Sequence, residues 1–340
     1  MLRPLSAALA LTAVSAVAAA PECSNVILAS FGGEPYDESL YLSYSSAPSG
    51  PGAVQFTPLN DGNPVLTSEI GAKTIRDPFV QRSPTGGFRI VTSDMPADGD
   101  MYWRGTTIST WSSPDLISFN DAQTLTVFPD KVDDPEWVTW APEWIENPDE
   151  DNILLFWSGG HFNSTALKNI WAATIDVSFD ASTLSAPFKL LDAGYTTIDG
   201  DMVKDADDVY HLFFKDERGS NSFDTDDKAV RVVTSKSPKG PFNADEISDL
   251  LSPTLTEGPS AFIVPNPAEG EAANLMFYDC FMNGRYGVSE SDFLDEGWAS
   301  VGDSSCDGFG DSVSFPDGAR HGSVVCVSED EMTKILEHWG

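Results

Sequence analysis

Hydrophobic and polar positions alternate along this chain in short runs and do not recur at helical spacing. Runs of roughly four to eight residues rich in Val, Ile, Phe, Tyr and Trp, bounded by Gly, Pro, Asp and Ser, predict strands. Residues 87–92, 153–157 and 209–214 are examples. One stretch alone reads as an amphipathic helix, residues 329–339. Four stretches follow a common plan, in which an acidic residue in a short motif is followed by a strand, a tight turn and further strands. They begin at Asp77, Glu143, Asp199 and Glu257, at steps of 66, 56 and 58 residues, and a further step of 64 reaches His321. Units of this length hold a four-stranded blade with its loops, and radial repetition of blades gives a β-propeller. The expected fold is therefore all-β, a five-bladed propeller, with the last blade shared between residues 25–46 and the C-terminal strand. A bridge from Cys23 to Cys326 would suit that closure, although four cysteines allow three pairings and spacing does not choose among them.

Composition narrows the function. Of 340 residues, 19 are Lys or Arg and 53 are Asp or Glu, a formal charge of −34. Such a surface repels phosphate backbones and anionic lipid headgroups, so nucleic-acid and membrane partners are not expected. With 9 Trp, 20 Phe and 8 Tyr the chain is too aromatic for an acidic disordered protein. At the N-terminus Arg3, an apolar run over residues 5–17 and Ala18, Ala19 and Ala20 predict a secretory leader over residues 1–20. One propeller domain over 21–340 and a secreted, monomeric protein are then expected. On that route Asn163, in Asn163-Ser164-Thr165, is a glycosylation candidate.

If successive repeats point at one axis, their carboxylates converge at one end of the channel. Like charges in a shared pocket push pKa values apart, which is what acid and base work at one site requires. The motifs at these heads are Arg76-Asp77-Pro78, Trp140-Ala141-Pro142-Glu143, Ile198-Asp199, Glu257-Gly258-Pro259 and Arg320-His321-Gly322-Ser323-Val324. In this order they resemble glycoside hydrolase family 43, the five-bladed propeller hydrolases of arabinose- and xylose-containing glycans. Residues 169–174, 214–217 and 327–331 resemble members described as arabinosidases.

The resemblance implies an inverting hydrolase with Asp77 as general base, Glu257 as general acid and Asp199 as the residue that tunes the acid's pKa. Asp201 competes with Asp199, which is preferred because it directly follows Ile198. Glu143 and Trp140 are expected against substrate, Trp140 by stacking. Arg76 and Lys215 are expected there too, as scarce cations that keep carboxylates ionised. Like-charged Asp199 is expected to raise the pKa of Glu257. The resemblance implies a structural calcium near the channel centre, reached by His321 through water because calcium prefers oxygen ligands; no organic cofactor is required. The implied reaction releases terminal L-arabinofuranose from plant cell-wall arabinan or arabinoxylan. Rival readings are a β-xylosidase or exo-galactosidase on the same fold, and a non-catalytic carbohydrate-binding propeller.

Overall fold

The computed structural model describes residues 23–33, 38–46, 54–95, 103–162, 167–218, 228–265, 267, 269, 272–301, 306 and 313–340. The expected leader and the sequon at Asn163 lie outside the described residues. Strands account for nearly half of them. In chain order they are β1 (Asn25–Gly32), β2 (Ser39–Ser46) and β3 (Thr57–Pro58); β4 (Arg76–Arg82), β5 (Phe88–Ser93), β6 (Thr107–Ser113) and β7 (Asn120–Thr126); β8 (Trp137–Asn147), β9 (Asn152–His161), β10 (Asn169–Ile175) and β11 (Phe188–Leu191). There follow β12 (Thr197–Lys204), β13 (Tyr210–Asp216) and β14 (Val230–Ser235); β15 (Glu257–Ile263), β16 (Asn274–Cys280), β17 (Arg285–Ser291) and β18 (Ala299–Ser300); then β19 (Arg320–Val327) and helix α1 (Glu329–Trp339).

The strands form five antiparallel sheets, β4 to β7, β8 to β11, β12 to β14, β15 to β18, and β19-β1-β2-β3. These are blades one to five of a propeller, and their innermost strands β4, β8, β12, β15 and β19 touch one another round the axis. Blade five is composite, as expected: its inner strand comes from the C-terminal part of the chain and its outer three from the N-terminal part.

Five apolar clusters fill the five gaps between blades. Along β1, Ile27 and Ala29 pack towards blade one, against Val80 and Ile90. Their neighbours Val26 and Leu28 pack towards blade four, against Phe277 and Val288. In β9, Ile153, Leu155 and Trp157 face blade one while Leu154 and Phe156 face blade three. Side chains alternate across a strand, so one buried on both faces must be apolar at every position. That is why residues 153–157 form an unbroken apolar run.

Helix α1 is capped by Ser328 and Glu331, each bonded to the other's backbone, and seats Met332 and Ile335 in the gap between blades five and one. Burial pushes the Glu331 carboxyl up, but bonds from Arg82 and Ser328 pull it down to about 2, with Arg82 at 2.6 Å. The disulfides are Cys23–Cys326, which pins β1 to β19, and Cys280–Cys306. The first spans 303 residues, so it strongly restricts the unfolded chain. Replacing both Cys23 and Cys326 by Ser is expected to cost about 2–4 kcal/mol, read as a lower urea midpoint with a steeper slope, because the released unfolded chain exposes more surface; an unchanged midpoint would refute the role. Among the described residues no helix is long and apolar enough to cross a membrane.

Candidate active site

Each inner strand breaks register with its neighbour at the same height. In β4 the break falls between Arg76 and Phe79, in β8 between Trp140 and Glu143, in β12 between Ile198 and Asp201, and in β15 between Glu257 and Ser260. In β19 it falls at His321, between Arg320 and Gly322. Such bulges turn a side chain out of the sheet's alternation. The residues at the bulges are Asp77, Ala141, Asp199 and Gly258, all with left-handed φ of 44° to 57°, and His321. Asp tolerates this conformation better than most residues. At blade four it must be Gly: a Cβ there would lie 2.5 Å from the His321 imidazole.

This register corrects one expectation. Asp77 and Asp199 are equivalent, but the residue matching them in blade two is Ala141, and Glu143 lies two positions further down. Glu143 is 6% exposed and does not line the cavity. Its carboxyl meets Asp201, and burial, foremost, with Asp201 next, raises its pKa well above the usual range. One of its oxygens, Oε2, is buried without a hydrogen-bond partner. Asp201 is buried as well; it accepts the Ala261 N–H at 2.7 Å and is pushed up to about 6, chiefly by burial. Asp199 lines the cavity and Asp201 does not.

The cavity holds about 720 Å³ at the mouth of the channel, within the usual range of small-molecule sites. The residue before each bulge lines it: Arg76, Trp140, Ile198, Glu257 and Arg320. Asp77, Asp199, His321 and Lys215 line it too. The strand residues paired with those head positions are Ser93, Ser158, Lys215, Asp279 and Phe31. Three of them accept the N–H of the next blade's bulge: Ser93 from Ala141 at 2.8 Å, Ser158 from Asp199 at 2.7 Å, and Asp279 from His321 at 3.3 Å. Blade three has a lysine there, which has no acceptor, so the Gly258 N–H goes instead to Asp199 Oδ2 at 3.3 Å.

Around Asp77, the Ser93 hydroxyl donates to Oδ2 at 2.6 Å and His321 Nδ1 lies 3.3 Å from Oδ1. Glu257 is held by Lys215 Nζ at 2.7 Å and by Arg320 at 3.5 Å. Lys215, 3% exposed, also meets Glu217 at 2.6 Å, whose other oxygen takes Lys228 at 2.7 Å. Burial alone would lower the lysine's pKa, but the surrounding carboxylates more than offset it and raise it. Arg320 also pairs with Asp279, whose buried carboxyl is pushed up to about 6.

The charge balance of the two central acids is the reverse of that expected. Burial pushes Glu257 up, yet the Lys215 ammonium, with Arg320 and His321, holds it below the usual carboxylate range. Asp199 is driven well above that range by burial first and the Glu257 charge second. Of the two, Glu257 is therefore the stronger acid and Asp199 the weaker.

Arg76 pairs with Glu38 at 3.2 Å and lies over the rings of Phe31 and Trp103. Trp140 donates its indole N–H to the Trp103 carbonyl at 2.7 Å and stands edge-on to Trp103. No group of three or more His, Cys, Asp or Glu among the described residues is placed to hold a metal, and both Asp77 oxygens face protein partners. Arg320, Asp279, Glu217, Ser93 and Ser158 were not singled out from sequence; Arg320 stood within a quoted head motif and Glu217 within residues 214–217, while the other three require strand pairing to be found.

The buried Glu143 and Asp201 carboxyls bear on stability. A raised folded-state pKa contributes fully at low pH and loses that contribution as pH rises above the unfolded value. Glu143→Gln keeps a donor towards Asp201 and removes the ionisation. It is expected to raise Tm at pH 7 by roughly 2–4 °C, about what 1 kcal/mol is worth in a large domain, and to have little effect at pH 4. A lower Tm at pH 7 than at pH 4, relative to wild type, would show that Glu143 works as an ionised group.

A family model described as a "probable glycosyl hydrolase domain", of the family 43-related type, matches residues 22–333. No curated protein matches the chain in sequence. An endo-1,4-β-xylanase from Bacteroides thetaiotaomicron is similar in structure, with TM-score 0.53 and 13% identity over 82% of this chain and 91% of that one. An α-L-arabinanase from Penicillium chrysogenum complexed with arabinobiose gives 0.50 and 14%, over 82% and 86%. A family 43 β-1,3-galactosidase gives 0.53 and 13%, over 77% and 52%. At these identities the likeness shows the shared propeller fold.

Proposed function

The chain belongs to the family 43-related glycosyl hydrolases, and from that premise we propose that it is an inverting glycosidase releasing terminal α-L-arabinofuranose from plant cell-wall arabinan or arabinoxylan. The observation that carries the proposal is the meeting of Asp77, Asp199 and Glu257, from blades one, three and four, in one cavity. Asp77 is the general base. Ser93 and His321 fix its two oxygens and so orient it towards an attacking water. Glu257 is the general acid, protonating the departing oxygen on the opposite face of the sugar. Asp199 stores the proton that Glu257 must deliver, and the two titrate as a pair. Substrate that displaces Lys215 or Arg320 from Glu257 moves that proton across.

Support for arabinose comes from the resemblance of residues 169–174 and 214–217 to arabinosidases and from the arabinanase among the structural neighbours. The xylanase and galactosidase neighbours favour the rival sugars. A panel of aryl glycosides read by proton NMR separates these. The expected result is arabinose appearing first as the inverted anomer; retained anomer would overturn the mechanism, and xylose or galactose alone would overturn the sugar. Oligosaccharide binding without turnover at any pH would favour a lectin.

Asp199→Asn tests the proton store. It removes the negative charge that keeps a proton in the pair, so Lys215 lowers the pKa of Glu257 unopposed. The alkaline limb of the rate profile is expected to move to lower pH, with kcat down about 10–100-fold. A limb that stays in place would assign the proton elsewhere.

A further inference from the structure

Five Lys or Arg side chains line the cavity, in a chain that has only 19 against 53 acids. Four are neutralised by neighbouring carboxylates: Arg76 by Glu38, Lys215 by Glu257 and Glu217, Lys228 by Glu217, and Arg320 by Asp279 and Glu257. The fifth, Lys168, has no carboxylate at ion-pair distance among the described residues. Its position is fixed: its backbone N–H donates to the Thr196 hydroxyl at 3.3 Å, and its carbonyl accepts the Thr197 N–H at 3.1 Å. Its ammonium lies 5.3 Å from the centre of the Trp140 ring. Beside that ring Trp103 is 41% exposed, so the same wall offers an apolar platform. Burial lowers the lysine's pKa, which is the mark of a cation partly stripped of water. An aromatic platform beside a partly desolvated cation, which the Glu217 charge reaches only from beyond ion-pair distance while shared by Lys215 and Lys228, fits a sugar ring that carries a carboxylate.

We propose that Lys168 is a specificity residue that recognises a uronic acid carboxylate on the glycan, seated on the Trp103 and Trp140 wall next to the scissile sugar. This rests on the glycosidase reading and names the class of substrate within it. The cavity's other cations are balanced locally, so one negative charge on the ligand completes the pairing. A neutral glycan leaves Lys168 with the Trp140 ring face and the more distant Glu217 charge.

The test uses two oligosaccharides that differ only in a uronic acid, intact or reduced to its neutral alcohol, with wild type, Lys168→Gln and Lys168→Arg. Wild type is expected to prefer the acidic one by about tenfold or more in kcat/KM, the scale of one charge-assisted hydrogen bond. That preference should shrink as salt is raised. Lys168→Gln should bring the ratio close to one with little change on the neutral substrate, and Lys168→Arg should keep most of it. Equal rates in wild type, or an equal loss on both substrates in Lys168→Gln, would overturn the assignment. Calorimetric binding of the same pair separates this from the enzyme reading. Tighter binding of the acidic oligosaccharide that Lys168→Gln abolishes upholds the carboxylate site even if neither is cleaved, and equal binding rejects it even if both are.

Discussion

Glu257→Gln is expected to lose about 10²–10⁴ in kcat on a natural glycan and far less on an aryl glycoside whose phenolate leaves without protonation. The amide keeps the size and the Lys215 contact but cannot deliver a proton. Only substrates that need the proton should then suffer. Asp77→Asn is the counterpart: a base that activates water is needed whatever leaves, so both substrates should lose activity alike. Far-ultraviolet circular dichroism close to wild type is expected for both variants, because neither side chain contributes to the apolar gaps between blades, with a lower Tm in Glu257→Gln, which takes one carboxylate from the buried Lys215. The reverse pattern would show that the acid and base are exchanged, and the same leaving-group dependence in both variants that neither holds its role.

Lys215→Met is expected to be the most destabilising single change near the cavity. It removes a buried cation that faces Glu257, Glu217 and Asp199, and breaking a buried ion pair from one side costs about 3–5 kcal/mol. The pH dependence gives the claim its sign. Glu257 and Glu217 both lie below their ordinary value of 4.5 in the fold, burial notwithstanding, because Lys215 pulls them down. A depressed folded pKa contributes stability above the unfolded pKa and loses it as pH falls through the folded one. The deficit of Lys215→Met should therefore be large at pH 7 and shrink below about pH 4.5, as read by urea unfolding at each pH. In activity the alkaline limb should rise, opposite to the shift in Asp199→Asn, since Glu257 keeps its proton longer without the ammonium. A deficit that does not vary with pH would reduce Lys215 to a packing role.

Sequence pattern revealed the propeller because each blade repeats a motif that the bulge geometry demands. Asp77 and Asp199 were legible because few residues other than Gly tolerate the left-handed bulge, and an aspartate there stands out. Glu143 misled for the same reason. It is the acid of its motif, but the bulge residue is Ala141, and counting to the nearest carboxylate shifts the repeat by two positions. Lys215 was noticed as a scarce cation expected to hold a carboxylate ionised. It does so to Glu257, the residue expected to stay protonated. That reversal depends on the pairing of Ile198 with Lys215 across β12 and β13, a register that no local motif encodes. Ser93, Ser158 and Asp279 were hidden likewise, since each acts on the following blade.

The composite blade has a consequence in time. Its outer strands end at Pro58, while β19, which lies against β1 and brings Arg320 and His321 to the cavity, starts 262 residues later. At roughly 5–20 residues per second of translation, the early strands wait on the order of ten seconds to a minute for their partner. During that interval β1 has an open edge, and Asp77 lacks its imidazole and Glu257 its guanidinium. A nascent chain therefore carries an incomplete cavity until β19 has been made, and its open edge has to be shielded from aggregation meanwhile.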